Sequence, residues 1–474
     1  MTSTSVMWFR RDLRLADNPA LLAAVESGPA GVVPLFVFDE RVWRPAGSPR
    51  RAYLLSSLAD LGTRVGGLQL RHGEPVSEVL EVARAAKASV VHVAADFGPY
   101  GRQRDEAVER ALAAAGIGFQ RTGSPYAVAP GRVQRLGSDG RAKGYQVFTP
   151  FYRAWTEQGW QQPAGDVASA PWLRALADTL PVREAGDGLR LPAAGEAAAA
   201  ARWRAFRDTA LAAYADRRNS PGMDATSRLS VHLKWGEIHP RTLLANLAAR
   251  PSRGAEAFRA ELGWREFYAD VLWHRPDSAR DYLRPQFATL EYDTPGKAFT
   301  AWQEGRTGYP IVDAAMRQLR REHWMHNRAR MLVASFLVKD LHIEWQHGAR
   351  HFMRNLVDGD LASNQHGWQW TAGSGTDPAP YFRVFNPTTQ AKKFDPHGDY
   401  VRRYVPELAH VATDFVHEPW RLPDGPPNGY PLPIVDHAEA RREALRRYEL
   451  SRVSQTWPSE SGVSDSAGVV SVPS

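Results

Sequence analysis

The feature that most constrains this chain is a change of period part-way along it. Over roughly the first 125 residues, short apolar runs alternate with amphipathic stretches. The runs are Ser5–Phe9, Val32–Phe38, Leu68–Leu70, Val90–Ala94 and Gly118–Arg121. Between them lie helix-like segments at Ala52–Val65, Val76–Ala86 and Arg102–Ala115. Strands buried on both faces need unbroken apolar runs, and the helices between them supply the cover, so the pattern predicts a parallel α/β layer. From about Ala201 to Tyr448 strand signals almost vanish. Helical spacing takes over, as in Trp203–Asp216, Ala255–Trp273, Pro310–Leu319 and His326–Asp340. Pro310 suits the first turn of its helix, where a missing N–H costs nothing. The chain therefore predicts a Rossmann-like parallel-sheet domain over residues 1–128 and an all-helical domain over 201–450. Residues 129–200, rich in Gly, Pro and Ala, read as a long linker with a few short helices. Residues 451–474 read as a disordered tail.

A length of 474 residues fits two cores. No run approaches the ~18 apolar residues of a membrane span. The basic start Met1–Arg14 lacks an apolar run ending in a cleavage site, so no secretory leader is expected. Zero cysteines exclude disulfides, iron–sulfur clusters and thiolate zinc sites, and the expectation is a cytoplasmic protein with no metal. A formal net charge of +7 permits a polyanionic partner such as DNA without requiring one. No GxGxxG follows the first strand. A small molecule in the sheet domain is therefore expected at the carboxyl ends of the strands, around Arg10, Arg11, Asp39 and Asp96.

In the helical half, Thr226–Ser230 gathers three hydroxyls and an arginine within five residues. Such a cluster can wrap a phosphate, or merely cap the next helix. Asp358-Gly-Asp360 taken alone is as easily a magnesium or nucleotide-sugar site, or a turn. Asn327, Arg330 and Met331 share one helix face, as do Glu261 and Trp264. Most of the sixteen tryptophans are expected in the core.

These motifs have a collinear match. Trp8-Phe-Arg-Arg-Asp-Leu-Arg14, Thr226-Ser-Arg-Leu-Ser230, Gly308-Tyr-Pro-Ile-Val-Asp-Ala-Ala-Met-Arg317, Trp324-Met-His-Asn-Arg-Ala-Arg-Met331, Val357-Asp-Gly-Asp-Leu-Ala-Ser-Asn364 and Gly367-Trp-Gln-Trp370 together resemble the photolyase/cryptochrome family. The likeness runs from about residue 5 to 435. It implies FAD, held at its pyrophosphate by Thr226, Ser227, Arg228, Leu229 and Ser230, lined by Tyr214 and Arg265, and faced by Arg330, Asp358, Asp360 and Asn364. Arg330 would provide the positive field that a reduced anionic flavin needs, with Asp358 as its ion-pair partner. Asp360 would accept the flavin ring N–H. Asn364 corresponds to the position beside flavin N5. A neutral amide there does not repel the anion, whereas the acid of plant-type cryptochromes opposes it, so Asn364 favours repair over signalling.

Members that repair (6-4) photoproducts resemble this region but carry histidines where Asn327 and Met331 stand. The resemblance therefore points to the class I branch that acts on cyclobutane pyrimidine dimers, with a (6-4) enzyme or a blue-light photoreceptor as the alternatives. Glu261 would hydrogen-bond the dimer bases, with Trp264 and Trp370 as the walls of a slot for the flipped pair. Asn327, Arg328 and Met331 would border the lesion. Arg383, Lys392 and Lys393 would meet phosphates, and they read equally well as a solvated basic loop. Trp368 and Trp345 match the inner and middle members of an electron-transfer chain. Tyr292 stands where the outer tryptophan is usual, and a tyrosine there needs somewhere to send its phenolic proton; Trp302 is another exit. In the sheet domain, Arg10, Asp39, Asp96 and Lys234 resemble members with an 8-hydroxydeazaflavin antenna, methenyltetrahydrofolate or an empty site being the alternatives. The expected activity is a light-driven carbon–carbon lyase reaction, carried out by a monomer on UV-damaged DNA with reduced FAD.

Overall fold

The computed structural model describes residues 3–137, 140, 142–167, 169–180, 188–377, 383–427 and 429–453. The expected tail lies outside the described residues beyond Val453, and Ser451–Val453 end a helix. Five strands, β1 (Thr4–Phe9), β2 (Gly31–Asp39), β3 (Gln69–Gly73), β4 (Ala88–Val93) and β5 (Gly118–Arg121), form one sheet in the order β3-β2-β1-β4-β5. All four pairings are parallel. Each expected apolar run is a strand, with its ends shifted.

β2 is buried at every position, as a strand covered on both faces must be. It tolerates Pro34 for a geometric reason. Val32 exchanges hydrogen bonds with Pro171 and Leu173, both 2.9 Å, and by the two-residue alternation Pro34 points the same way. The β3 ladder begins only at Leu35, so no ladder bond is lost there. The helix Pro19–Ser27, which makes the first crossover, was not expected from the sequence. Its apolar face is short, and its start is fixed by Asn18 accepting from Leu21 N. Strand order reverses between β1 and β4, which opens a crevice at their carboxyl ends.

The connecting stretch is less loose than its composition suggests. It carries the helix Phe148–Gln158 and a small antiparallel ribbon, Arg135–Leu136 with Ala142–Lys143. Farther on it is strapped to the sheet: Thr179 N bonds Leu70 O, and Gln69 Oε1 accepts from Ala175 N and Leu176 N.

Beyond the ribbon, no strand occurs among the described residues. The helix expected over Trp203–Asp216 is two pieces, Glu196–Thr209 and Tyr214–Arg217. The break brings the Leu211 carbonyl onto Gly254, where a Cβ would lie 1.8 Å from the oxygen. It also turns Tyr214 edge-on to Phe206 and Phe258, each at 5.5 Å. The helix expected over His326–Asp340 is regular for Asn327–Ser335 and then widens, with Leu341 N bonding Phe336 O five residues back.

The two halves meet through buried polar contacts. Arg241 pairs with Asp17 at 2.6 Å, and Leu15 and Ala16 donate main-chain N–H groups to Glu196. Tyr53 and Ser57 both donate to the buried carboxylate of Glu237, at 2.7 and 2.5 Å. Among the described residues no helix is long and apolar enough to cross a membrane.

Candidate active site

Two helices and the turn that leads into the second build the centre of the helical half. Asn327–Ser335 presents Arg330, whose Nη2 bonds Asp358 Oδ2 at 2.9 Å and Oδ1 at 3.2 Å. Its Nε donates to Met325 O, which fixes the guanidinium from the other side. The ion pair expected from the sequence is therefore present, and its carboxylate is nearly inaccessible at 2%. Asp360 caps the helix Leu361–Ala372 by accepting from Ser363 N, and its second oxygen takes a hydrogen bond from Arg11 at 2.9 Å. Burial alone would raise the Asp360 pKa. Arg11, Lys234 and Arg265 outweigh it and hold the carboxyl far below its usual range. Arg11 reaches across from the end of β1, a partnership that spacing in the sequence could not reveal.

One turn into that helix, Asn364 donates Nδ2 to Ala349 O at 3.2 Å and to Gln365 Oε1 at 2.8 Å. Its donor capacity is spent and Oδ1 is left as an acceptor. Tyr214 is buried beside Phe258. Arg265 gives its guanidinium to the carbonyls of Pro125 and Leu233 and lies over Tyr126.

Thr226–Ser230 forms a turn in which Arg228 has φ +51°, and none of its hydroxyls caps the helix Ser230–Trp235. Arg202 holds the turn by donating to the carbonyls of Thr226 and Ser227. Arg228 bonds Glu322 at 3.2 Å and sits 4.5 Å over the Trp324 ring, while Leu229 N donates to Ser227 Oγ. Trp324 Nε1 donates to Ser230 Oγ. The capping alternative is thus not the one the structure uses.

A second face belongs to the helix Arg253–His274. Glu261 and Trp264 are one turn apart, as the spacing predicted. Glu261 Oε1 pairs with Arg218 Nη1 at 2.6 Å. Burial raises its pKa, against the pull of Arg218 and Arg328. Trp264 stacks on Phe148 with centroids 3.8 Å apart and planes within 9°, and the ring remains half-buried. Such a pair contributes about 0.5–1.5 kcal/mol beyond its area. Trp370 is also half-buried. Asn327 is exposed at the start of its helix, with Met331 half-buried one turn on. Arg328 bonds Asn219 at 2.8 Å and lies over Phe394. His326 is the helix N-cap and not part of the face, and burial lowers its pKa to about 4.

Trp368 packs against Gly348, where a Cβ would lie 2.1 Å from the indole, one turn from Trp345. Trp302 meets Trp368 edge-on at 6.2 Å. Tyr292 hydrogen-bonds Tyr282, which the sequence reading did not single out. Lys393 lies on the helix Pro387–Phe394 rather than on a loop. On that helix Lys392 is engaged with Glu418. Arg383 is exposed, and its main-chain carbonyl accepts from the buried Lys339.

At the crevice of the sheet, Arg10 pairs with Asp105 at 2.5 Å under Trp8, and Arg104 joins Asp96 and Asp105. Asp39 accepts from Tyr100 at 2.6 Å. Lys234 is half-buried; desolvation lowers its pKa to about 7, and it lies in the field of Arg11, Asp360, Arg50 and Asp96. Asp96 and Lys234 are thus brought together. Asp39 is linked to Asp96 through Tyr100 and then Arg104. Among the described residues no three His, Asp or Glu side chains gather to hold a metal.

Comparison with known proteins assigns the chain. Residues 5–168 match the family profile described as DNA photolyase, and residues 258–450 match the FAD binding domain of DNA photolyase. A deoxyribodipyrimidine photo-lyase of Streptomyces griseus is 43% identical over 464 residues, spanning 95% of this chain and 99% of that one. The chain belongs to the DNA photolyase family. Among photolyases of known structure, a bacterial class III enzyme from Agrobacterium tumefaciens superposes with a TM-score of 0.87 at 36% identity, covering 96% of this chain and 98% of its own. A cryptochrome from Synechocystis superposes at 0.83 with 26% identity, covering 94% and 99%. Most of the helical half of this photolyase-family chain, residues 258–450, matches the FAD-binding domain. Its residues suit that cofactor: an uncapped hydroxyl turn for phosphates, a fixed cation at Arg330, and an amide at Asn364 with its acceptor unspent.

Proposed function

We propose that this protein repairs cyclobutane pyrimidine dimers in DNA, driven by light and using reduced FAD. The observation that carries the reading is Asn364, a neutral amide fixed by its own Nδ2 hydrogen bonds so that it offers only an acceptor toward the cofactor. An acid at that place would add negative charge beside a reduced anionic flavin; the amide does not. FAD, when bound, supplies the light absorption and the single-electron donation. The protein supplies the rest. Arg330, held by Asp358, contributes a positive field that need not reorganise. Trp264, supported on one face by Phe148, and Trp370 provide aromatic surface for bases that leave the stack, worth about 1–3 kcal/mol per base. Glu261, its pKa raised by burial, is suited to hydrogen-bond the bases and to donate when protonated. Asn327 and Met331, in place of proton-transferring histidines, favour the cyclobutane dimer over the (6-4) product.

The remaining parts of the reading are also proposals. Asp96 and Lys234 support an 8-hydroxydeazaflavin antenna in the crevice, with folate as the other pigment; extraction and absorption of the purified pigment separate the two. The protein is read as a cytoplasmic monomer, which light scattering and cell fractionation test.

The first measurement uses chemically reduced protein and defined DNA bearing one cyclobutane dimer or one (6-4) product, with restored bases counted in light and dark. Light-dependent repair of the cyclobutane dimer alone is expected. Bound FAD with neither lesion repaired would move the protein to a photoreceptor, and repair of the (6-4) product would refute the use made of Asn327 and Met331.

A further inference from the structure

We propose that Tyr282, with Glu344 as its proton acceptor, is the electron donor that refills Trp345; this rests on the light-driven reading above. Tyr282 is buried, and its ring meets Trp345 edge-on with centroids 6.1 Å apart and planes at 84°. Its hydroxyl donates to Glu344 Oε1 at 2.8 Å. Glu344 immediately precedes Trp345 at the start of the same helix, and it is half-buried, so a proton received there can pass on to water. Tyr292 does not form a separate route. It is hydrogen-bonded to Tyr282, whose hydroxyl is the one placed on Glu344.

The step balances. A photoexcited oxidised flavin is the oxidant by class; Trp368 yields one electron to it and is refilled from Trp345. Trp345 then carries a cation. Its Nε1–H is buried with no hydrogen-bond partner among the described residues, so the indole has no ready base for its own proton. Tyr282 gives one electron to Trp345 and its Oη proton to the Glu344 carboxylate. The products are neutral Trp345, a neutral Tyr282 phenoxyl radical and protonated Glu344. Return of the electron then requires return of the proton, which holds the charges apart.

The competing exit fails on the same test. Trp302 lies 6.2 Å from Trp368, but it is fully buried, and its Nε1–H donates to the Val333 carbonyl at 3.0 Å. A carbonyl oxygen does not take up a proton under these conditions, so a hole arriving on Trp302 has no way to settle. The pair Tyr282–Glu344 has a base at hydrogen-bond distance.

Flash absorption and electron paramagnetic resonance on the protein carrying oxidised FAD test this. The native protein is expected to show a neutral tyrosyl radical that appears as the tryptophan cation decays, more slowly in D₂O. Y282F should lengthen the life of the tryptophan cation by about tenfold or more, equivalent to ~1.4 kcal/mol in barrier. E344Q should slow tyrosyl formation similarly, and E344D should restore it. A tyrosyl signal that survives Y282F and vanishes in Y292F would overturn the assignment, as would unchanged kinetics in E344Q. A native protein that forms the tyrosyl radical but repairs no lesion when chemically reduced would instead overturn the proposed function.

Discussion

The two aspartates of Asp358-Gly359-Asp360 are held from opposite halves of the molecule. Asp358 is paired within the helical half, by Arg330 from the helix Asn327–Ser335. Asp360 is paired by Arg11 from the end of β1, and between them the Gly359 carbonyl accepts from Arg50 on the helix Ser48–Arg64. The same short turn therefore has one anchor that the helical half supplies alone and two that it does not. The difference teaches that the sheet half helps to hold a turn of the helical half in place. It also separates two kinds of dependence. Losing the Arg330 pair damages the helical core directly, whereas losing the Arg11 pair loosens the turn from the sheet.

The largest effect should come from Arg330→Leu. It leaves the buried Asp358 carboxylate without its partner, and breaking a buried pair on one side costs about 3–5 kcal/mol. Denaturant unfolding should show that loss, and the purified variant should lack FAD. An unfolding free energy within ~1 kcal/mol of native would mean that Asp358 finds another partner and the local anchor is not needed.

Arg11→Met should cost less, about 1.5–3 kcal/mol for a hydrogen bond to a charged group. The pH dependence gives its signature. Burial opposes ionisation of Asp360, but Arg11, Lys234 and Arg265 together depress its folded pKa. A depressed carboxyl stabilises in full above its unfolded value, ~3.9, and the contribution disappears as pH falls through the folded value. The gap between native and variant should thus be constant near neutrality and narrow as pH drops below about 4. A gap that persists unchanged in acid would show that Arg11 acts by packing.

Trp264→Ala serves as a control that touches neither aspartate. Removing the ring that Phe148 supports should lower affinity for dimer-bearing DNA roughly 5- to 150-fold, corresponding to about 1–3 kcal/mol. FAD retention should be unchanged. If FAD is lost as well, the lesion face and the cofactor turn are not separable.

How far the sequence shows all this depends on the range of the contact. The five strands are legible because a strand covered on both faces needs an unbroken apolar run, and the Arg330–Asp358 pair was legible through its motifs. The helix Pro19–Ser27 was not, since nine largely apolar residues carry no clear period. The break after Thr209 was hidden for another reason. It is imposed by a carbonyl packing on Gly254, and Ala210–Ala213 contains nothing that stops a helix. Arg11–Asp360, Arg218–Glu261 and Tyr282–Glu344 join residues distant in the chain, and no local spacing announces them. Arg11 stood in a quoted motif, so its side chain was in view although its partner was not. The linker looked loose by composition, yet Gln69 and Leu70 bind it to the sheet.

The smallest effect concerns the basic helix Pro387–Phe394 and its two neighbouring lysines. Lys392 and Lys393 are adjacent on Pro387–Phe394, and both are exposed. Lys392 is engaged by Glu418, so its charge is already partly balanced within the protein. Lys393 lies 5.5 Å from the Phe394 ring centroid. If Lys393 meets a DNA phosphate, Lys393→Ala should reduce the slope of log affinity against log salt by about 0.9 and weaken damaged and undamaged DNA alike. Lys392→Ala should change the slope by less than about 0.9, because counterion release is smaller from a charge that Glu418 already screens. A full change of about 0.9 for Lys392→Ala would mean that DNA displaces Glu418 from Lys392 on binding. An unchanged slope for Lys393→Ala would place the backbone path elsewhere, with Arg383 the next residue to test.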